Sequence, residues 1–302
     1  MINKDYITKY KLNDLTPVEE HDSILFKRDD LYIPFSDIPL SGGKVRQAIS
    51  LIANNFNYIK DECDGNIYSA TGVKSPQGIV VTRVAKEFGF SSTVFIGNSG
   101  PKGIRKNNLM MNILTNGGKI DYNARQAYEA PLQAEIRKHA ERGEKFFTVK
   151  FGINLDTDPE SIIDSVAYQV QNIPKNLDYL IVPCGSAIMF GGILKGCQRY
   201  DIVPKHIVGI QIAGYDRTKT IEHIVGEGHL PYEFLRSKDY EYGKLLKINI
   251  GNFTLDPIYE AKAYDYMKRH MHEELNNKKV LFWIVGNSWE VRNKIYMNQS
   301  IN

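Results

Sequence analysis

Short apolar runs alternate with stretches whose apolar positions recur every three or four residues, and this alternation constrains the fold more than any other feature of the chain. Ile67–Ala70, Ser92–Ile96, Tyr179–Val182, Ile207–Ile212 and Val280–Val285 read as buried strands, with Ile24–Lys27 as an earlier one. Val45, Ala48, Ile49 and Ile52 fall on one face of a helix, as do Val80, Val84 and Phe88 in a helix expected over 79–88. Further helices are expected over 103–114, after Ile188 and over 258–269, while 220–245 reads as irregular. Strand and helix in this alternation make βαβ units, so the expectation is an α/β fold with open, mostly parallel sheets. Nothing repeats at a fixed period, which excludes a solenoid.

With 302 residues, 42% of them hydrophobic, the chain can bury a large core in two domains. A formal net charge of +3 neither demands nor excludes nucleic acid. Three well-separated cysteines, Cys63, Cys184 and Cys197, argue against a disulfide scaffold and for a reducing compartment. No Cys or His grouping has zinc spacing, so no metal is expected. The first residues carry no apolar run of a signal peptide, and no eighteen apolar residues run together. The expectation is a cytoplasmic protein without a membrane span.

Four loops follow or end candidate strands, where ligands of open α/β sheets collect. In Ser41-Gly42-Gly43-Lys44 two glycines permit a tight turn into a helix start. Lys44 there is either a solvated lysine or an amine set for covalent chemistry. Pro183-Cys184-Gly185-Ser186-Ala187-Ile188-Met189 enters a helix, and its backbone N–H groups could cradle a phosphate or simply make a tight turn. It matches neither a P-loop nor a complete dinucleotide fingerprint. In Thr71–Gly78, Ser75 and Gln77 could grip a carboxylate or cap a helix. Asp256-Pro257-Ile258-Tyr259-Glu260 reads as a helix start that brings Tyr259 and Glu260 to the first turn.

These pieces stand in a fixed order: Lys27-Arg28-Asp29-Asp30-Leu31, Gly42-Gly43-Lys44, Gly72-Val73-Lys74-Ser75-Pro76-Gln77, Lys106-Asn107-Asn108-Leu109, Gly185-Ser186, and Asp256 to Glu260. In that order the chain resembles the tryptophan synthase β-like, or fold type II, enzymes dependent on pyridoxal 5'-phosphate (PLP). The nearest branch is that of 1-aminocyclopropane-1-carboxylate deaminase and D-cysteine desulfhydrase. The resemblance runs from about Leu15 to Val285. It implies two α/β domains with PLP in the cleft between them, the larger formed by 1–45 plus 155–302 and the smaller by 46–154. It further implies Lys44 as the Schiff-base lysine and proton-transfer base, with Gly185, Ser186, Ala187, Ile188 and Met189 as the phosphate cup. Glu260 becomes the partner of the pyridine nitrogen, and Tyr259 the active-site tyrosine. Ser75 faces cofactor and substrate, Gln77 serves the substrate carboxylate, the stretch from Tyr232 to Tyr242 lines the entrance, and Tyr240 or Tyr242 in it touches the substrate. The family is commonly dimeric, which makes a homodimer the expected assembly.

The chain departs from the family where Pro76 replaces an asparagine, where Ala187-Ile188-Met189-Phe190 replaces a loop richer in Gly and Thr, and at Val285-Gly286-Asn287. Proline offers neither a side-chain donor nor an N–H. Three functions are therefore expected in competition. The first is a lyase or deaminase-like enzyme using PLP to hold a carbanion on a small amino-acid-like substrate. The second is a phage-type enzyme that remodels or decarboxylates an amino acid attached to modified thymine in DNA. The third is a non-catalytic PLP-binding protein.

Overall fold

The structure, a computed structural model, describes residues 4–97, 99–126, 128–153, 158–212 and 216–297. Its strands are β1 Val18–His21, β2 Ile24–Arg28, β3 Asn66–Ala70, β4 Ser91–Gly97, β5 Lys119–Ala124, β6 Phe147–Val149, β7 Tyr179–Cys184, β8 His206–Gln211, β9 Glu233–Arg236, β10 Asn249–Ile250, β11 Phe253–Thr254 and β12 Val280–Ile284. Six form one sheet in the order β1-β2-β12-β7-β8-β9, parallel except for the β1–β2 hairpin. Four form a second, all-parallel sheet in the order β5-β4-β3-β6. Strands β7 and β12 are buried at every position, as parallel strands covered on both faces must be.

The second sheet lies within 66–149, while the expected boundary at 154–155 lies outside the described residues. The N-terminal segment divides its allegiance. Strands β1 and β2 join the large sheet, whereas Tyr10, Leu12, Tyr32, Phe35, Ile38 and Leu40 are buried in one cluster with Ile79, Val80 and Val84 on the helix Gln77–Glu87. In the sequence anchor, Lys27 to Asp30 form a buried polar knot, with Leu31 exposed at its end. Arg28 forks onto Asp30 through two bonds of 2.9 Å, and Asp29 accepts from Thr16 Oγ1 at 2.7 Å and from Trp283 Nε1 at 3.1 Å. Burial of these charges is tolerable because each is paired.

Two expectations over secondary structure need correction. The helix expected over 103–114 is two helices, Pro101–Arg105 and Asn108–Thr115, because Asn107 caps the second by accepting from Leu109 N and Met110 N. The stretch 220–245 holds the end of the helix Thr218–Val225 and strand β9. All three cysteines are buried as free thiols, and burial pushes the Cys197 thiol up to about 12. No helix among the described residues is long and apolar enough to cross a membrane.

Candidate active site

Loops that leave the C-terminal ends of β2, β3, β6, β7 and β12 meet in a closed ring. The tightest joint is Gly42, held at φ +86°, where a Cβ would overlap the Val285 carbonyl oxygen and Gly286 Cα. Gly43 N donates to that same Val285 oxygen at 2.8 Å. This close approach starts the helix Gly43–Asn54 and sets Lys44 in its first turn. Lys44 Nζ, half-buried, donates to Gly152 O at 3.3 Å. Burial lowers its pKa from 10.5 to about 8.

Gly152 joins three expected site residues. Its carbonyl accepts from Lys44 and, at 3.4 Å, from Ser186 Oγ, while its N–H donates to Gln77 Oε1 at 2.8 Å. Gln77 Nε2 donates to Lys150 O at 2.9 Å and Ala70 O at 3.2 Å. The Gln77 side chain, expected on a substrate carboxylate, is instead spent on gripping the 150–152 turn, and it is buried for that reason. Ser75 is half-buried in the loop before it, and its Oγ accepts from Gln77 N at 3.3 Å.

Across the ring, Ala187 takes a left-handed conformation, φ +64°, at the cap of the helix Ile188–Arg199. A buried non-glycine residue in that conformation marks a backbone bent for a purpose. Ile188 and the half-buried Met189 open the helix, and the Met189 thioether fills the space beside Gly43. Gly185 leaves room for Tyr259, whose Cε1 would lie 2.7 Å from a Cβ there. Tyr259 caps the helix Glu260–His270 and shares a 3.0 Å hydrogen bond with Tyr242 through their hydroxyls. Burial holds its phenol well above the usual range.

Glu260 closes the ring. Its Oε1 accepts from Val285 N at 3.1 Å and Gly286 N at 3.2 Å, the peptide against which Gly42 packs. Its Oε2 is buried with no partner. Burial, then the nearby Asp256 carboxylate, raise its pKa well above the carboxylate range. Tyr240, expected to touch substrate, has its hydroxyl engaged in this structure: it donates to Asp265 Oδ2 at 2.6 Å and meets Arg269 on the helix Glu260–His270. Tyr242, two residues on, takes the place at Tyr259. Sequence reasoning passed over Gly152, because a single glycine in the polar middle of the chain carries no signal. It also missed the grouping of Asp121, Glu135 and His139, which shares no residue with the ring.

The same fold recurs among solved structures. An ACC deaminase homologue superposes with a TM-score of 0.71 over 93% of each chain at 19% identity. The diaminopropionate ammonia lyase of Escherichia coli gives 0.63 over 97% of this chain and 90% of its own, at 14% identity. This chain has the fold of the fold type II PLP-dependent enzymes. The O-acetylserine-dependent cystathionine β-synthase of Helicobacter pylori shares that fold type as well, with a TM-score of 0.64 over 95% and 97% of the two chains at 13% identity. In sequence, the chain is 25% identical to the O-seryl-dTMP PLP-dependent decarboxylase of Salmonella phage ViI, over 94% of this chain and 82% of that protein. No family model matches.

The ring fits the cofactor that defines fold type II. A buried acid with one unpartnered oxygen offers a site for a ring nitrogen. An amine whose pKa is lowered toward neutrality suits attachment to a carbonyl carbon. A bent backbone at a helix N-terminus suits a phosphate.

Proposed function

We propose that this chain is a PLP-dependent enzyme that breaks a bond to an amino-bearing carbon, and that its substrate is an amino acid carried on a thymidine nucleotide, from which it removes carbon dioxide. The orphaned Oε2 of Glu260, placed in one ring with Lys44, carries the first part of this reading. Similarity along nearly the whole chain to the O-seryl-dTMP decarboxylase supports the second. We take the smaller domain to span 46–154 and the larger to comprise 1–45 and 155–302.

When bound, PLP supplies an electron sink for charge left on the substrate carbon. Lys44 Nζ would hold the cofactor's carbonyl carbon; its lowered pKa keeps a neutral fraction for that attachment near neutrality. Lys44 Nζ would also be the group that returns a proton to the substrate carbon that loses carbon dioxide. Glu260 would hold a proton between Oε2 and the ring nitrogen, which favours the charged, more electron-withdrawing ring. The N–H groups around Gly185, Ser186, Ala187, Ile188 and Met189 would hold the phosphate. Ser75 would offer its hydroxyl to cofactor and substrate. Tyr259 and Tyr242 stay protonated, so they orient and exclude water rather than act as phenolate bases. Gln77 acts one step back, by fixing Gly152.

A second reading, elimination from a free amino acid, draws on the likeness to ammonia lyases and deaminases. The two separate when PLP-loaded protein is offered an oligonucleotide bearing seryl-thymidine and, separately, free serine and diaminopropionate. The oligonucleotide is expected to lose the mass of one carbon dioxide and the free amino acids to persist. Release of ammonia and a keto acid from free amino acids, with the oligonucleotide untouched, contradicts the proposal.

A further inference from the structure

The helix Glu260–His270 carries a lysine that the chemistry above does not use. Lys262 is 1% exposed, and of the described lysines only Lys27 is buried as deeply. Burying an ammonium group is costly unless its hydrogens find partners. Lys27, on β2, donates to Thr16 O and Asn172 Oδ1 at 2.6 Å each, neither of which belongs to the ring of loops around Lys44. Lys262 donates instead to two backbone carbonyls of one turn, Glu241 O at 2.8 Å and Tyr242 O at 3.3 Å.

The turn held in this way is the one that carries Tyr242. It lies in the stretch 237–248, between β9 and β10, which has neither helix nor strand. Such a stretch keeps one shape only where bonds fix it. Its first part is pinned to the far end of the helix, Asp239 to His270 at 2.8 Å and Tyr240 to Asp265 at 2.6 Å. The turn itself is closed by Lys244 N donating to Glu241 O at 3.2 Å, and Lys262 fastens that same oxygen to the helix. Tyr259 caps this helix three residues before Lys262, so a single helical turn sets both Tyr259 and the amine that holds its partner. The two hydroxyls meet at 3.0 Å, and the Tyr259 ring fills the space that Gly185 leaves open. Gly243, next in the turn, passes so close to Lys74 that a Cβ there would overlap its Nζ, which brings the turn up to the residue before Ser75.

We infer that Lys262 is a positioning residue: by holding the Glu241 and Tyr242 carbonyls it keeps the Tyr242 hydroxyl on Tyr259 and the Tyr259 ring against Gly185, a role that rests on the reading of this ring as a PLP site. It is tested with Lys262→Met, Tyr242→Phe and the double variant, beside Asp239→Asn as a control on the anchor at His270. Amide hydrogen exchange read by mass spectrometry needs no cofactor and comes first. In Lys262→Met the amides of Lys244 and Leu246 should exchange about 10- to 100-fold faster, the scale of one lost hydrogen bond to a charged group, with the helix Glu260–His270 and β12 unchanged.

The second readout is kcat of the PLP-loaded proteins on whichever of the seryl-thymidine oligonucleotide, serine or diaminopropionate the wild type turns over. Lys262→Met and Tyr242→Phe should each lower kcat about tenfold, and the double variant should stay within about threefold of the slower single, because both changes break one link. Asp239→Asn should stay within about twofold of wild type. Faster exchange along the whole helix, or a Lys262→Met protein that does not fold, makes the lysine part of the framework and overturns the inference. Unchanged exchange at the turn overturns it as well, as do losses that multiply to about 100-fold in the double variant. A wild type that takes up no PLP, or turns over none of these substrates, overturns the reading of the site instead, and the exchange result then decides the hold of Lys262 on the turn by itself.

Discussion

Lys44 and Glu260 do opposite things with burial, and the site depends on both. Burial disfavours charge, so it drives the lysine toward a neutral amine and the acid toward a held proton. The pH dependence of cofactor capture follows. The rate at which PLP attaches to Lys44 should climb to about pH 8 and then level off, whereas an unperturbed lysine would gain to its pKa of 10.5; stopped-flow absorbance across pH measures this. Glu260→Gln keeps a hydrogen-bonding side chain but no exchangeable acid proton. It should still take up PLP, with a shifted absorbance maximum, and lose about 10- to 100-fold in kcat, the kinetic equivalent of roughly 1.5–3 kcal/mol for a hydrogen bond to a charged group. Unchanged kcat would remove Glu260 from the chemistry.

At the scale of elements, the site exists because strand ends deliver short loops to one another, and capping chemistry fixes where each helix begins. Asn107 is the clearest instance: it caps the helix Asn108–Thr115 and its Nδ2 donates to Val73 O at 2.8 Å, which ties that cap to the Ser75 loop. Asn107→Ala should cost about 1–2 kcal/mol, read as a lowered denaturation midpoint, and should raise KM more than it lowers kcat. The sequence made the alternation of strand and helix plain, because apolar periodicity is a local signal. It placed Lys44 at a helix start and Tyr259 and Glu260 at another, since glycine and proline punctuate both. It could not show that Gln77 turns inward to Gly152 or that Tyr240 turns outward to Asp265, since partners so distant in sequence leave no periodic trace. Strand β6 and the helix Pro159–Ala167 were hidden for a related reason, being short and set in a polar stretch.

Across the whole molecule, the two sheets are joined at the site and also by the C-terminal segment. Asn112, fully buried on the small sheet's side, donates to Val291 O and Lys294 O at 2.9 Å each and accepts from Tyr296 N at 2.7 Å. Asn108 Nδ2 adds a bond to Arg292 O at 2.8 Å. Asn112→Ala would leave three backbone groups without partners, at a cost of about 2–4 kcal/mol. It should make the chain after residue 288 the first point of proteolysis while the circular dichroism of the sheets persists. Release of this segment would also free Arg292 from the Lys74 carbonyl, which ties the seam to the Ser75 loop.

Everything proposed for this site depends on Lys44 as the anchor of PLP. The direct measurement is the absorbance spectrum of the purified protein after incubation with PLP and removal of the excess, beside that of Lys44→Ala. In the wild type a visible band should persist through desalting and be bleached by borohydride, with the label recovered on the peptide containing Lys44; the folded variant should lack that band. A wild type that stays colourless, or a Lys44→Ala protein that retains the same band, would contradict the assignment.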